Sequence, residues 1–255
     1  MRITSQNAAR FRRSGFTLVE LLVAIAIIAV LAGLGLFGTK MAMAASTKTK
    51  AINNIRTVGV VLEQLAQEGI ATGGAHPRGT FPPSEGQLIT GTEFVWYDLV
   101  ANEIGIAERE GSRFDWNTLP RESQLQNPLS KHKLGGDNFT GFNSRESTLG
   151  GFTYNAKLAG PVGASGAAAA GLSVSMSSLD DAANTILIGE TDDEVPTTGL
   201  AFEGIEDAPQ GNADDSVHVF LIGGEVRPIP NSKMKEPRIF DFYTEPRNKD
   251  YNAIN

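Results

Sequence analysis

The chain has no cysteine. That removes disulfides, thiolate metal ligation and thiol catalysis together, and it leaves the redox compartment undecided. Histidine is nearly as scarce. His76, His132 and His218 are the three, and none has a second His or a Cys at ligand spacing, so no transition-metal centre is expected. A basic face is missing as well. Arg2, Arg10, Arg12 and Arg13 fall in the first fifteen residues with no acid among them, which leaves 18 of the 22 bases against all 29 acids, a balance of −11. Neutralising phosphates needs the opposite sign, which argues against nucleic acid as the main partner. There is no G-x-S-x-G elbow, and no cofactor and no enzymatic activity are expected.

Residues 16–68 contain no proline, and from Phe16 to Phe37 (FTLVELLVAIAIIAVLAGLGLF) only Thr17 and Glu20 are clearly polar. As a helix those residues cover about 33 Å, close to the hydrocarbon thickness of a bilayer. A soluble core helix would show a polar face, and this one has none. The segment therefore reads as a single membrane span. The basic leader before it is the positive-inside pattern, which puts the N-terminus in the cytoplasm and the rest beyond the inner membrane. A secretory signal peptide is the alternative, because Ala42-Met43-Ala44 is an A-x-A cleavage pattern with Ala45 as the first mature residue. Against it, the apolar run exceeds the usual stretch of about 7–15 residues and an acid interrupts it.

That acid, Glu20, admits two readings. It lies one turn from the helix start, where the dipole favours a carboxylate and headgroup water is near. Intramembrane acids also mark partners, so Glu20 is equally a candidate to meet a positive charge from another chain. Ala26, Ala29 and Gly33 share a helix face, and Ala29/Gly33 form a small-xxx-small pair that would let a second helix approach, although both residues are common in membrane helices. Gly33, Gly35 and Gly38 also spell G-x-G-x-x-G, and Gly33 to Lys40 approaches a P-loop. The lysine comes one place late and no strand precedes it, so no phosphate site is read there.

Arg13-Ser14-Gly15-Phe16-Thr17-Leu18-Val19-Glu20-Leu21-Leu22 resembles the signal of type IV pilins and type II secretion pseudopilins. The resemblance covers about the first 40 residues. It implies that a prepilin peptidase cuts between Gly15 and Phe16 and methylates Phe16. It also implies that Glu20 meets the free amine of a neighbouring pilin or pseudopilin subunit during assembly.

Beyond the span, Ile52, Ile55, Val58, Leu62 and Leu65 continue at helical spacing, with Lys48, Lys50, Asn53, Arg56 and Glu63 mostly off the stripe and Gly69 as a C-cap. The expected organisation is a leader at 1–15, a membrane helix at 16–38, an amphipathic helix at 39–69 and a globular periplasmic or extracellular head at 70–255. The expected fold class is α+β and pilin-like: one long helix on a small antiparallel sheet with long loops. In the head, residues 70–150 read as mostly irregular, with one element at Glu93–Ala101, and Trp96, Tyr97 and Trp116 read as core or interface anchors. Gly160–Gly171 reads as a flexible low-complexity loop. Strands are expected at Phe152–Asn155, Thr185–Gly189, Val217–Ile222 and Glu225–Ile229, the last two joined by Gly223-Gly224, with His218 as an ordinary strand side chain. The tail after Pro230 is charged, polar and ambiguous.

Phe152–Asn155, Asn184–Glu190 and Val219–Ile229 also resemble the C-terminal domain of pilin-like proteins abundant in planctomycetes, a domain of unknown function (DUF1559). The pattern departs from that family at Gly223 and Ala213, where it commonly has Asp and His, so no residue role is carried over. Asp180-Asp181, Asp192-Asp193-Glu194 and Asp214-Asp215 are the candidates for calcium, without EF-hand spacing. The functional expectation is a structural subunit of a type IV pilus or a type II secretion pseudopilus. The alternative is a membrane-anchored module recognising a surface glycan or protein, and an exported hydrolase ranks third.

Overall fold

The computed structural model describes residues 16–69, 78–87, 93–105, 109–110, 113–114, 124–130, 151–159, 174–191, 201–202, 205–211, 215–247 and 249. They fall into two compact units, one running to Ser46 and one starting at Thr47. Gly15, Gly73-Gly74, His76, Trp116, His132, Gly160–Gly171, Asp192–Glu194 and Asp214 lie outside the described residues.

Helix α1 (Leu18–Glu68) is a single element of 51 residues. In the first unit it is apolar all round and bare, with Leu18, Ile28, Leu31 and Leu34 all exposed. Gly33–Lys40 is helical, so the near P-loop has no turn in which to cradle a phosphate.

In the second unit the same helix has two faces. Ala51, Ile55, Val58, Leu62, Leu65 and Ala66 are buried, while Asn53, Arg56, Val60 and Gln64 are exposed. The helix ends where the spacing predicts. Gly69 takes φ +76°, and its N–H donates to the Leu65 carbonyl at 2.9 Å. The Gly79 N–H and Arg78 Nε satisfy the carbonyls of Ala66 and Glu68.

The expected single element at Glu93–Ala101 is two. Strand β1 (Glu85–Gln87) pairs antiparallel with β2 (Glu93–Val95), and helix α2 (Trp96–Glu103) follows at once. The Asp98 carboxylate accepts the Val95 N–H at 2.8 Å, which turns the chain from strand into helix. Trp96 and Tyr97 are buried with their rings edge to face, so the anchor reading holds for this pair. A short hairpin, β3 (Arg109–Glu110) with β4 (Arg113–Phe114), comes next.

The main sheet contains β5 (Phe152–Asn155), β6 (Ile186–Glu190), β7 (Ala201–Phe202), β8 (Ser216–Leu221) and β9 (Val226–Pro230), in the order β7-β5-β6-β8-β9. Helix α3 (Ala156–Ala159) follows β5, and α4 (Asn231–Met234) and α5 (Pro237–Thr244) follow β9. The sheet is mixed rather than antiparallel throughout, because β7 pairs parallel with β5. A parallel pair needs a long crossover, and the stretch between Asn155 and Ala201, which includes β6 itself, supplies it. The β8–β9 turn is the expected glycine pair, with φ +104° at Gly223 and +96° at Gly224. The Glu63 carboxylate of α1 accepts the Gly223 N–H, and burial pushes that carboxyl above its ordinary value.

Side chains alternate across the sheet, so it buries both faces. Phe152, Tyr154, Leu187 and Phe220 join Ile55, Val58 and Leu62 of α1 and Trp96 of α2 in one core. Ile186, Val217, Val219 and Leu221 join Met234 and Phe240 in a second. The tail left open above is thus helical and covers a full face of the sheet. Lys249 helps fasten it: its Nζ donates to the carbonyls of Phe242 and Asn184 and lies 5.1 Å from the Phe242 ring centre.

Burial pulls the Lys249 ammonium down to about 8 from 10.5, against the opposing pull of Asp181, Glu245 and Asp180. Between those values the unfolded chain binds more protons than the folded one, so this lysine's contribution to stability rises with pH. Lys249→Met should therefore remove a stability increment that the parent chain gains between about pH 8 and 10.5. Parallel melting curves across that range check it, and identical pH slopes would refute it.

Candidate functional site

The first turn of α1 explains how the sequence tolerates an acid there. Thr17 is the N-cap, and its Oγ1 accepts the Glu20 N–H at 3.2 Å. Glu20 Oε2 in return accepts the Thr17 N–H at 2.8 Å and the Thr17 hydroxyl at 2.9 Å. This reciprocal arrangement is a capping box, which satisfies two of the amide donors a helix start leaves open. Thr-x-x-Glu before an apolar run is its sequence signature, so the role of Thr17 was open to a reading that stopped at Glu20. Phe16 stands just before the cap and is 85% exposed. Phe16 and Glu20 are separated by one helical turn, which places the residue at the expected cut and the expected assembly carboxylate on the same side. Gly15 lies outside the described residues.

Thr17→Val should leave Glu20 without its capping partner while keeping side-chain shape. Faster amide exchange at Leu18–Glu20 in detergent micelles, with α1 beyond its first turn unchanged, is the expected result; unchanged exchange would show that the cap does not hold the turn.

In the head, His218 has a partner that strand periodicity does not reveal. Its Nδ1 lies 3.0 Å from Glu190 Oε2, with both side chains buried. The same oxygen accepts the His218 backbone N–H at 2.9 Å, and Glu190 Oε1 accepts Asn127 Nδ2 at 3.2 Å. Glu190 closes an apolar strand and Asn127 comes from a segment far away in sequence, so no local pattern announces the group.

Of the proposed calcium acids, Asp181 has its carboxylate turned to Asn184, taking the backbone N–H at 3.2 Å and Nδ2 at 2.9 Å. It caps the short 3-10 turn Ala182–Asn184. Among the described residues no three His, Asp or Glu side chains gather as a metal cage.

Residues 10–36 match the family described as the prokaryotic N-terminal methylation motif. No curated protein and no solved structure matches the chain. The motif supports a type IV pilin-like precursor. Together with one N-terminal helix long and apolar enough to cross a membrane, it fits a single-pass membrane-anchored protein.

Proposed function

We propose that this chain is a structural, non-enzymatic subunit that a prepilin peptidase cuts between Gly15 and Phe16 and methylates on Phe16. The processed chain then assembles with other pilin or pseudopilin subunits into a type IV pilus or type II secretion pseudopilus. The observation that carries the reading is the methylation motif over residues 10–36, which spans both the cut and Glu20. The helix it opens has no intrachain cover to its apolar surface. On this reading the leader is cytoplasmic, residues 16–38 span the inner membrane, residues 39–69 continue as helix into the head, and the head lies beyond it. Resemblance of the head to the DUF1559 domain rests on the three sequence stretches quoted above. No cofactor is required.

Glu20 matters because a carboxylate in lipid is stabilised by a counter-charge, and the new Phe16 amine of a neighbouring subunit supplies one. Glu20→Ala should leave membrane insertion intact and remove the chain from sheared filament fractions. Normal incorporation would overturn the assembly role.

Gly33 gives an independent test. A Cβ built there meets nothing within 4 Å, so Gly33→Leu has no steric cost within the chain. If subunits pack along Ala26, Ala29 and Gly33, that substitution should abolish crosslinking between neighbouring helices while head stability stays the same. Retained crosslinks would place the contact on another face.

A further inference from the structure

The Glu190 carboxylate has no part in membrane insertion or processing, yet it is the most committed charged group in the head. It is fully buried, and each of its three hydrogen-bond contacts comes from a donor: the His218 N–H, His218 Nδ1 and Asn127 Nδ2. An ionised carboxylate is an acceptor only, and this surrounding suits that form.

The third donor ties down a separate piece of chain. Asn127 belongs to the segment Gln124–Ser130, whose Leu125, Gln126, Asn127 and Ser130 are buried. Asn127 Oδ1 accepts the Leu129 N–H at 3.0 Å, which fixes the amide so that Nδ2 faces Glu190. The segment's other tie is uncharged, from Asn54 Nδ2 of α1 to the Gln126 carbonyl at 2.6 Å.

The elements against Glu190 are β5, β8, Gln124–Ser130 and residues 208–211, whose Gln210 N–H donates to the Glu190 carbonyl. Apart from His218 their one titratable side chain is Tyr154, which donates to the Pro82 carbonyl at 2.9 Å and is kept protonated by burial. On the neighbouring β9, Arg227 pairs with Glu225. On α1, Lys50 and Arg56 are exposed and Glu63 is turned to Gly223.

We propose that Glu190, His218 and Asn127 form an acid-operated latch, which holds Gln124–Ser130 on the sheet while Glu190 is ionised and releases it when the carboxyl is protonated. The added proton turns one acceptor oxygen into a donor facing a donor. The β8 contacts are held by strand pairing of Gly189 with Val219, which does not involve the side chain. The Asn127 bond is the longest of the three and has no such support, so it is the one lost.

Hydrogen exchange followed by mass spectrometry on the full chain in detergent micelles tests this at about pH 7 and about pH 4, the span over which ordinary imidazole and carboxyl groups titrate. After correction for the intrinsic pH dependence of exchange, peptides covering 124–130 should exchange about tenfold faster in acid, while those covering β6 and β8 keep their protection. Glu190→Gln should exchange fast at both pH values in this segment. Asn127→Ala, which cuts only the tie and leaves the buried pair in place, should do the same and serves if the first variant does not fold. Equal corrected exchange at both pH values in the parent chain would overturn the latch. So would loosening of the segment and the strands together in acid, or a full acid response surviving in Asn127→Ala.

Discussion

Gly59→Val should unfold the head or bring it close to unfolding, because no side chain fits between α1 and the sheet at this point. A Cβ at Gly59 would lie 2.3 Å from Cγ and Cδ1 of Phe220 and 2.6 Å from Cε1. Phe220 is on β8, one of the two strands flanked on both sides, and is completely buried, so its ring has nowhere to swing. Overpacking by a single methyl costs about 1–3 kcal/mol. For Gly59→Ala that is partly offset by about 1 kcal/mol of helix propensity. Valine adds two further methyls on a branched Cβ with little rotamer freedom in a helix, and keeps less of the offset. The expected series is a melting temperature a few degrees lower for alanine, at roughly 2–4 °C per kcal/mol in a domain of this size, and loss of the cooperative transition for valine. Circular dichroism melts of the full chain in micelles read it out. A valine variant that melts with the parent would mean that α1 does not lie on the sheet at Gly59.

The second large effect concerns the other end of the molecule. Replacing Gly15 by valine should leave the chain uncut, since the signal that the first residues resemble places the cleaved bond directly after this glycine. A residue without Cβ permits the closest approach to the backbone. The uncut chain keeps Arg2, Arg10, Arg12 and Arg13 and never exposes the Phe16 amine. Glu20 then has its Thr17 cap but no counter-charge to meet in a neighbour. Near-complete accumulation of the longer form, and none in filament fractions, is expected by immunoblot. Processing at the parental level would show that Gly15 does not set the cut.

How far the sequence reveals each part follows from the range of the forces involved. The end of α1 at Gly69 and the Gly223-Gly224 turn were readable because left-handed backbone selects glycine residue by residue. The buried stripe of Ile55, Val58, Leu62 and Leu65 was readable from spacing alone. Gly59 was not, because its role comes from a ring 161 positions further along the chain, and an isolated glycine in a helix carries no mark of what lies opposite. The parallel β5–β7 pair and the buried Glu190–His218 contact were hidden for the same reason. The tail after Pro230 was obscured by its charge. Lys233, Lys235, Glu236 and Arg238 are exposed, while Met234, Ile239, Phe240 and Phe242 among them are buried. At the N-terminus, Phe16 and Glu20 were legible, and the capping box that engages Glu20 was written in the same four residues.

The mass of the mature N-terminus, determined on chain purified from native membranes, tests the central claim most directly. The account predicts a polypeptide that begins at N-methylated Phe16 and keeps the whole of α1. A polypeptide beginning at Ala45 would contradict it, because the apolar stretch and Glu20 would then have been discarded on export and could anchor or assemble nothing.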